Sequence, residues 1–133
     1  MVLTARPEKR MRRVLVVDDD KAVRSCLYEV LNAQGYKAAE AETAPLALAT
    51  QMIFRPHIVL LDVVMPGMTG NEIIKKLVAF DSNVVVIIMT GFPNEGLASL
   101  AIEMGARDYI VKPFDLAQLK TMLQVYELTE LLE

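Results

Sequence analysis

Four short apolar runs, each ending in a polar residue, limit what this chain can fold into. Val14–Val17 runs into Asp18 and Asp19, and Ile58–Leu61 into Asp62. Val84–Met89 runs into Thr90, and Tyr109–Val111 into Lys112. Continuous runs of this length, rich in Val and Ile, read as strands covered on both faces, as in a parallel sheet. In open α/β sheets the ligand crevice lies just beyond the carboxyl ends of the strands. Carboxylates, a hydroxyl and an ammonium from distant segments would converge there.

The segments between the runs read as helices. Asp20 to about Gln34 carries Val23, Leu27, Val30 and Leu31 at helical spacing and is stopped by Gly35. Tyr36–Glu40 reads as a short strand. Thr43 caps a second helix with Pro45 in its first turn, running through Leu46, Leu48, Ala49 and Ile53 to about Phe54. A third covers about Asn71–Phe80, with Ile73, Ile74, Leu77 and Val78 inward, and a fourth ends near Met104 before Gly105. Asp115 caps a final helix to about Leu132, whose face Leu116, Leu119, Leu123 and Tyr126 is continued by Val125, Leu128, Leu131 and Leu132. Strands alternating with helices indicate βα units and a parallel sheet covered on both sides.

With 133 residues, 53% of them hydrophobic, and a mean hydropathy of +0.33, the chain suits one compact domain. A net charge of -3 gives no reason to expect nucleic acid or membrane as a direct partner. No apolar stretch approaches the roughly 18 residues of a membrane span. Residues 1–12 read as a flexible, basic, solvated arm, with Arg6, Lys9, Arg10 and Arg12 followed by Arg13 and no apolar region of a signal peptide. The domain is expected over residues 13–133. The one cysteine, Cys26, cannot form an internal disulfide, which fits a reducing cytoplasm. Ala22, Val23 and Val30 at helical spacing suggest a core thiol there.

Asp18, Asp19 and Asp62 brought together would repel unless a cation sat among them. Hard oxygen donors with room for water suit Mg²⁺. Asp20 is expected to turn away and start the first helix, where an acid favours the positive end of the dipole. Lys112 would neutralise an anionic phosphoryl group and Thr90 could donate to one of its oxygens. Asp62 is then the natural nucleophile, forming an acyl phosphate.

Val16-Val17-Asp18-Asp19, Leu61-Asp62-Val63-Val64-Met65-Pro66-Gly67, Met89-Thr90-Gly91 and Gly105-Ala106-Arg107-Asp108-Tyr109-Ile110-Val111-Lys112-Pro113-Phe114 resemble, in order and spacing, the receiver domain of two-component response regulators. The resemblance covers the chain from about Arg13 to the final helix. It implies a doubly wound, five-stranded parallel sheet of order 2-1-3-4-5 in a flavodoxin-like three-layer α/β/α fold. It implies a phosphoryl group passed to Asp62 from a phosphohistidine on a sensor histidine kinase or histidine phosphotransfer protein. The chain would assist its own phosphorylation and dephosphorylation without being an enzyme in the usual sense. Asp19, Asp62 and the backbone carbonyl of Val64 would bind Mg²⁺, with Asp18 acting directly or through water. A cis Lys112-Pro113 bond is expected. Thr90 and Tyr109 match the switch pair, Tyr109 otherwise being a plain core aromatic. Phosphorylation would change the surface of the fourth helix, fifth strand and fifth helix. His57 has no place in this chemistry and reads as a strand-edge residue.

A flavin carrier would need its first loop to accept phosphate, which Asp18-Asp19-Asp20 would repel. A phosphatase of the haloacid-dehalogenase type also forms an aspartyl phosphate, but it has an acid two residues after the nucleophile, where this chain has Val64. A receiver that signals without phosphate is disfavoured, because every residue of the acceptor site is present. The output, a domain or a target protein, is not specified, nor is a phosphorylation-dependent homodimer; Asn94–Met104 lacks the Lys and Arg of a charged dimer face. The resemblance implies that Val64 and Phe92 flank the phosphoryl group; being apolar, they would either slow its hydrolysis or pack against a partner.

Overall fold

The computed structural model describes residues 12–63, 69–91 and 95–131. Five strands alternate with five helices: β1 (Arg13–Val17), α1 (Lys21–Ala33), β2 (Lys37–Ala41), α2 (Ala44–Phe54), β3 (Ile58–Asp62), α3 (Gly70–Phe80), β4 (Val85–Thr90), α4 (Glu95–Met104), β5 (Asp108–Val111) and α5 (Leu116–Leu131). All strand pairs are parallel, and the order is β2-β1-β3-β4-β5. The order expected from the resemblance is the one observed.

Why the apolar runs are continuous is visible in the two cores. Successive strand side chains point to opposite faces. Leu15, Val17, Val59, Leu61, Val86 and Ile88 meet Ala44, Ala47, Ile73, Ile74 and Leu77 of α2 and α3 on one side. Val14, Val16, Ile58, Leu60, Val85, Ile87 and Met89 meet Leu27 and Leu31 of α1 and Leu119 and Leu123 of α5 on the other. With both faces covered, no position in the central strands is left for a polar residue until the strand ends.

The helix starts follow their expected chemistry. Asp20 accepts from the Ala22 and Val23 amides as N-cap of α1, and Thr43 accepts from Leu46 at α2. Thr69 and Glu72 form a reciprocal capping box at α3. Asp115 accepts from the Ala117 amide at 2.8 Å.

Several side chains depart from the sequence reading. Cys26 is exposed, because it sits about 100° around α1 from Leu27, the centre of the buried stripe. Leu46 and Ile53 of α2 face outward, at 48% and 87% exposure, while Ala44, Ala47 and Gln51 face the core. Nearly every residue of α2 is apolar, so periodicity could not choose its buried face. Gln51 satisfies its buried amide by donating to the Leu77 carbonyl of α3 at 2.9 Å. Arg12, grouped with the solvated arm, is buried; its guanidinium donates to the Glu127 carbonyl of α5 at 3.4 Å, and its own carbonyl accepts from Lys37. On α5, Leu119 and Leu123 are buried as expected but Leu116 and Val125 are exposed. Residues 1–11 and the side chains of 128–133 lie outside the described residues.

Candidate functional site

The strand order reverses between β1 and β3, since the chain leaves β1 for β2 on one side and continues to β3 on the other. That reversal is where an open α/β sheet forms its crevice. Asp18 follows β1 and Asp62 ends β3, so the two carboxylates flank it. One carboxylate oxygen each from Asp18, Asp19 and Asp62 lies within 4.8 Å of the others. Asp18 is fully buried, Asp62 is 7% exposed and Asp19 faces solvent.

Asp18 is held at every polar atom. Its amide donates to the Ala41 carbonyl of β2 at 3.2 Å. Its carbonyl accepts from the Arg24 guanidinium at 2.8 Å. One carboxylate oxygen accepts from the Asp20 amide at 2.9 Å, and the other from the Lys112 ammonium at 2.6 Å.

Lys112 follows β5 and reaches back across the strand ends. Its ammonium also lies 3.5 Å from an Asp62 oxygen. Partial burial works against the charged form, but the hydrogen bond to Asp18 and the charges of Asp18 and Asp62 outweigh it. The pKa therefore lies above the ordinary lysine value, and the ammonium persists through the neutral range. The Lys112-Pro113 bond is cis, as expected.

Thr90 ends β4 and is 2% exposed; its carbonyl accepts from the Lys112 amide at 2.7 Å. The register pairs Thr90 with Val111 and Ile88 with Tyr109. Paired residues in a parallel sheet share a face and alternate residues return to it. Thr90 and Tyr109 therefore lie on the same face, one diagonal step apart. Tyr109 is 39% exposed, so it is no core aromatic. Its amide donates to its neighbour Asp108, whose carboxylate also accepts from the Tyr126 hydroxyl of α5 at 3.2 Å. His57 sits at the opposite end of the sheet, where its Nδ1 accepts from the Arg13 amide at 3.1 Å.

Asp18, Asp19, Asp62, Thr90 and Lys112 are thus gathered at one end of the sheet, with Tyr109 at its edge. Val64 and Phe92 lie outside the described residues. Arg24 and Glu40 were not singled out from the sequence; Arg24 donates to Glu40 of β2 at 3.2 Å, a pairing across 16 positions that no local pattern signals.

A family model, the response regulator receiver domain, matches residues 14–124. The chain belongs to this family. It is 37% identical over 114 residues to sporulation initiation phosphotransferase F of Bacillus subtilis, covering 86% of this chain and 92% of that protein. It is 36% identical over 104 residues to the chemotaxis protein CheY of Thermotoga maritima, covering 77% and 87%. Against the regulatory protein AtoC of Escherichia coli it is 34% identical, over 86% of this chain but 25% of that one. Among solved structures, Vibrio cholerae CheY4 aligns with a TM-score of 0.82 and 29% identity over 86% of this chain and 97% of its own. A CheY-like receiver domain from Methanospirillum hungatei aligns at 0.83 and 27%, over 88% and 94%. The receiver is thus a two-component signalling domain of the kind used in phosphorelays. Among the described residues, no helix is long and apolar enough to cross a membrane.

Proposed function

We propose that this receiver works in the cytoplasm and takes a phosphoryl group onto Asp62 from a phosphohistidine of a sensor histidine kinase or histidine phosphotransfer protein. The observation that supports it best is the Asp62 carboxylate at the strand-order reversal, within 3.5 Å of a charged lysine and beside two further acids. An Asp62 oxygen attacks phosphorus; the P–O bond forms as the N–P bond breaks, and the imidazole nitrogen leaves with the electron pair. Lys112 offsets charge on the phosphoryl oxygens, and Thr90 donates its hydroxyl to one of them.

The donor set suits Mg²⁺: clustered carboxylate oxygens, one of them solvent-facing, leave room for water and phosphate. Asp19 and Asp62 would hold the ion, with the carbonyl of Val64 as a further donor. The two oxygens of Asp18 already accept from Asp20 and Lys112, which favours a water-mediated part for Asp18. Bound Mg²⁺ would neutralise the acids and the incoming phosphoryl oxygens.

Acceptance of phosphate would draw Thr90 inward and let Tyr109, on the same sheet face, follow it, changing the surface of α4, β5 and α5 that a target protein reads. The valine at position 64 leaves no second acid for phosphatase chemistry. Transfer from an autophosphorylated histidine kinase carrying labelled phosphate tests this directly. Label should pass to the chain only with Mg²⁺ present and be released by hydroxylamine, as an acyl phosphate is. Label that resists hydroxylamine would contradict an aspartyl acceptor.

A further inference from the structure

Asp19 occupies a position whose geometry is set from outside itself. Among the described residues no hydrogen bond or ion pair holds its carboxylate, so the backbone on either side fixes the direction of its Cα–Cβ bond and the place from which the carboxylate reaches a cation. The peptide plane before Asp19 contains the Asp18 carbonyl, which accepts from Arg24 at 2.8 Å. The plane after it contains the Asp20 amide, which donates to the Asp18 carboxylate at 2.9 Å. Both planes flanking Asp19 are pinned, one of them by Arg24.

Arg24 is itself located by two elements. Its amide donates to the Asp20 carbonyl at 3.1 Å as part of α1. Its Nε donates to Glu40 Oε1 at 3.2 Å, and the guanidinium side chain is only 11% exposed. The neighbouring β2 residue, Ala41, accepts the Asp18 amide. The end of β2 therefore grips Asp18 from both sides, directly through Ala41 and through the Glu40–Arg24 pair. A planar guanidinium can serve two acceptors in fixed directions, which an ammonium cannot. Glu40 also neutralises Arg24, so the cation braces the acidic turn without adding net positive charge beside it.

We propose that Arg24, braced by Glu40, is a positioning residue that aims the Asp19 carboxylate for the divalent cation. This rests on the reading that the acidic turn receives Mg²⁺. Residues behind metal ligands typically contribute roughly 10- to 100-fold in metal affinity. The test is Mg²⁺ titration by calorimetry of the whole chain, as wild type, Arg24→Ala, Arg24→Lys and Glu40→Ala, with amide NMR of Asp19 and Asp20 before metal is added. Arg24→Ala should bind about tenfold more weakly per folded molecule. Its Asp19 and Asp20 amides should already be displaced without metal. Arg24→Lys and Glu40→Ala should fall between it and wild type. A merely structural role would lower the melting temperature and leave the affinity of the folded fraction unchanged. Affinity within about twofold of wild type in both Arg24→Ala and Glu40→Ala would overturn the proposal, as would full rescue by lysine. Should Arg24→Ala not fold, Glu40→Ala and Arg24→Lys decide by the same criterion. Wild type that binds no Mg²⁺ would overturn the metal reading itself, an outcome separate from equal affinities.

Discussion

Lys112 and Thr90 stand at adjacent strand ends but should fail differently when removed. Lys112 supplies the cation that contacts both Asp18 and Asp62. Lys112→Ala should slow phosphorylation by acetyl phosphate by about a hundredfold, the scale for losing a charge-stabilising donor in a shielded site. Single-turnover rates followed by mass spectrometry check this. Thr90→Ala should still accept phosphate yet pass on less of the change. NMR shifts around Tyr109 on phosphorylation should shrink in that variant, and equal shifts would contradict the switch role. The acceptor-site residues were legible because each closes an apolar run, and a buried strand leaves polar chemistry only at its end. Arg24 and Glu40 were not legible, because one sits in a helix and the other on an edge strand, joined only by the fold.

Element boundaries were readable wherever a residue type has a single backbone use. Gly35 and Gly105 end α1 and α4 at φ values of 94° and 116°, outside the usual range of side-chain-bearing residues. They should respond differently to alanine. A Cβ on Gly35 would meet nothing within 4 Å, whereas one on Gly105 would lie 3.2 Å from Val78 Cγ2. Gly35→Ala should therefore cost about 1 kcal/mol from backbone strain alone, and Gly105→Ala more, up to about 3 kcal/mol. Urea unfolding of the two variants compares them; a larger loss at Gly35 would contradict the packing argument. The face of α2 could not be read. A helix apolar nearly all around gives almost no periodic signal, and in the fold Ala44, Ala47 and Gln51 face the core while Leu46 and Ile53 face outward.

At the scale of the whole molecule, Tyr36 ties the end of α1 to the layer formed by α1 and α5. Burial, and then the charge of Glu127, push its hydroxyl up from 10.0 to about 12, with Arg12 opposing. A proton held more tightly by the folded state stabilises it below the unfolded pKa and stops doing so as pH rises through the folded one. Tyr36 should therefore contribute an alkaline loss of stability between about pH 10 and about pH 12. Tyr36→Phe should flatten that part of the curve, and an unchanged slope would contradict the assignment. Phosphoryl lifetime is also a property of the assembled site. If Val64 and Phe92 flank the phosphoryl group, as the resemblance implies, their apolar side chains offer no hydrogen bond to an attacking water, and the wild type should lose phosphate more slowly than a Val64→Asn, Phe92→Glu double variant. The central claim is that Asp62 accepts the phosphoryl group with Mg²⁺. Intact-protein mass spectra after incubation with acetyl phosphate test it most directly. Wild type with Mg²⁺ should gain one phosphoryl group, and chelator or Asp62→Asn should abolish the gain. The same gain at the same rate in Asp62→Asn would contradict the account.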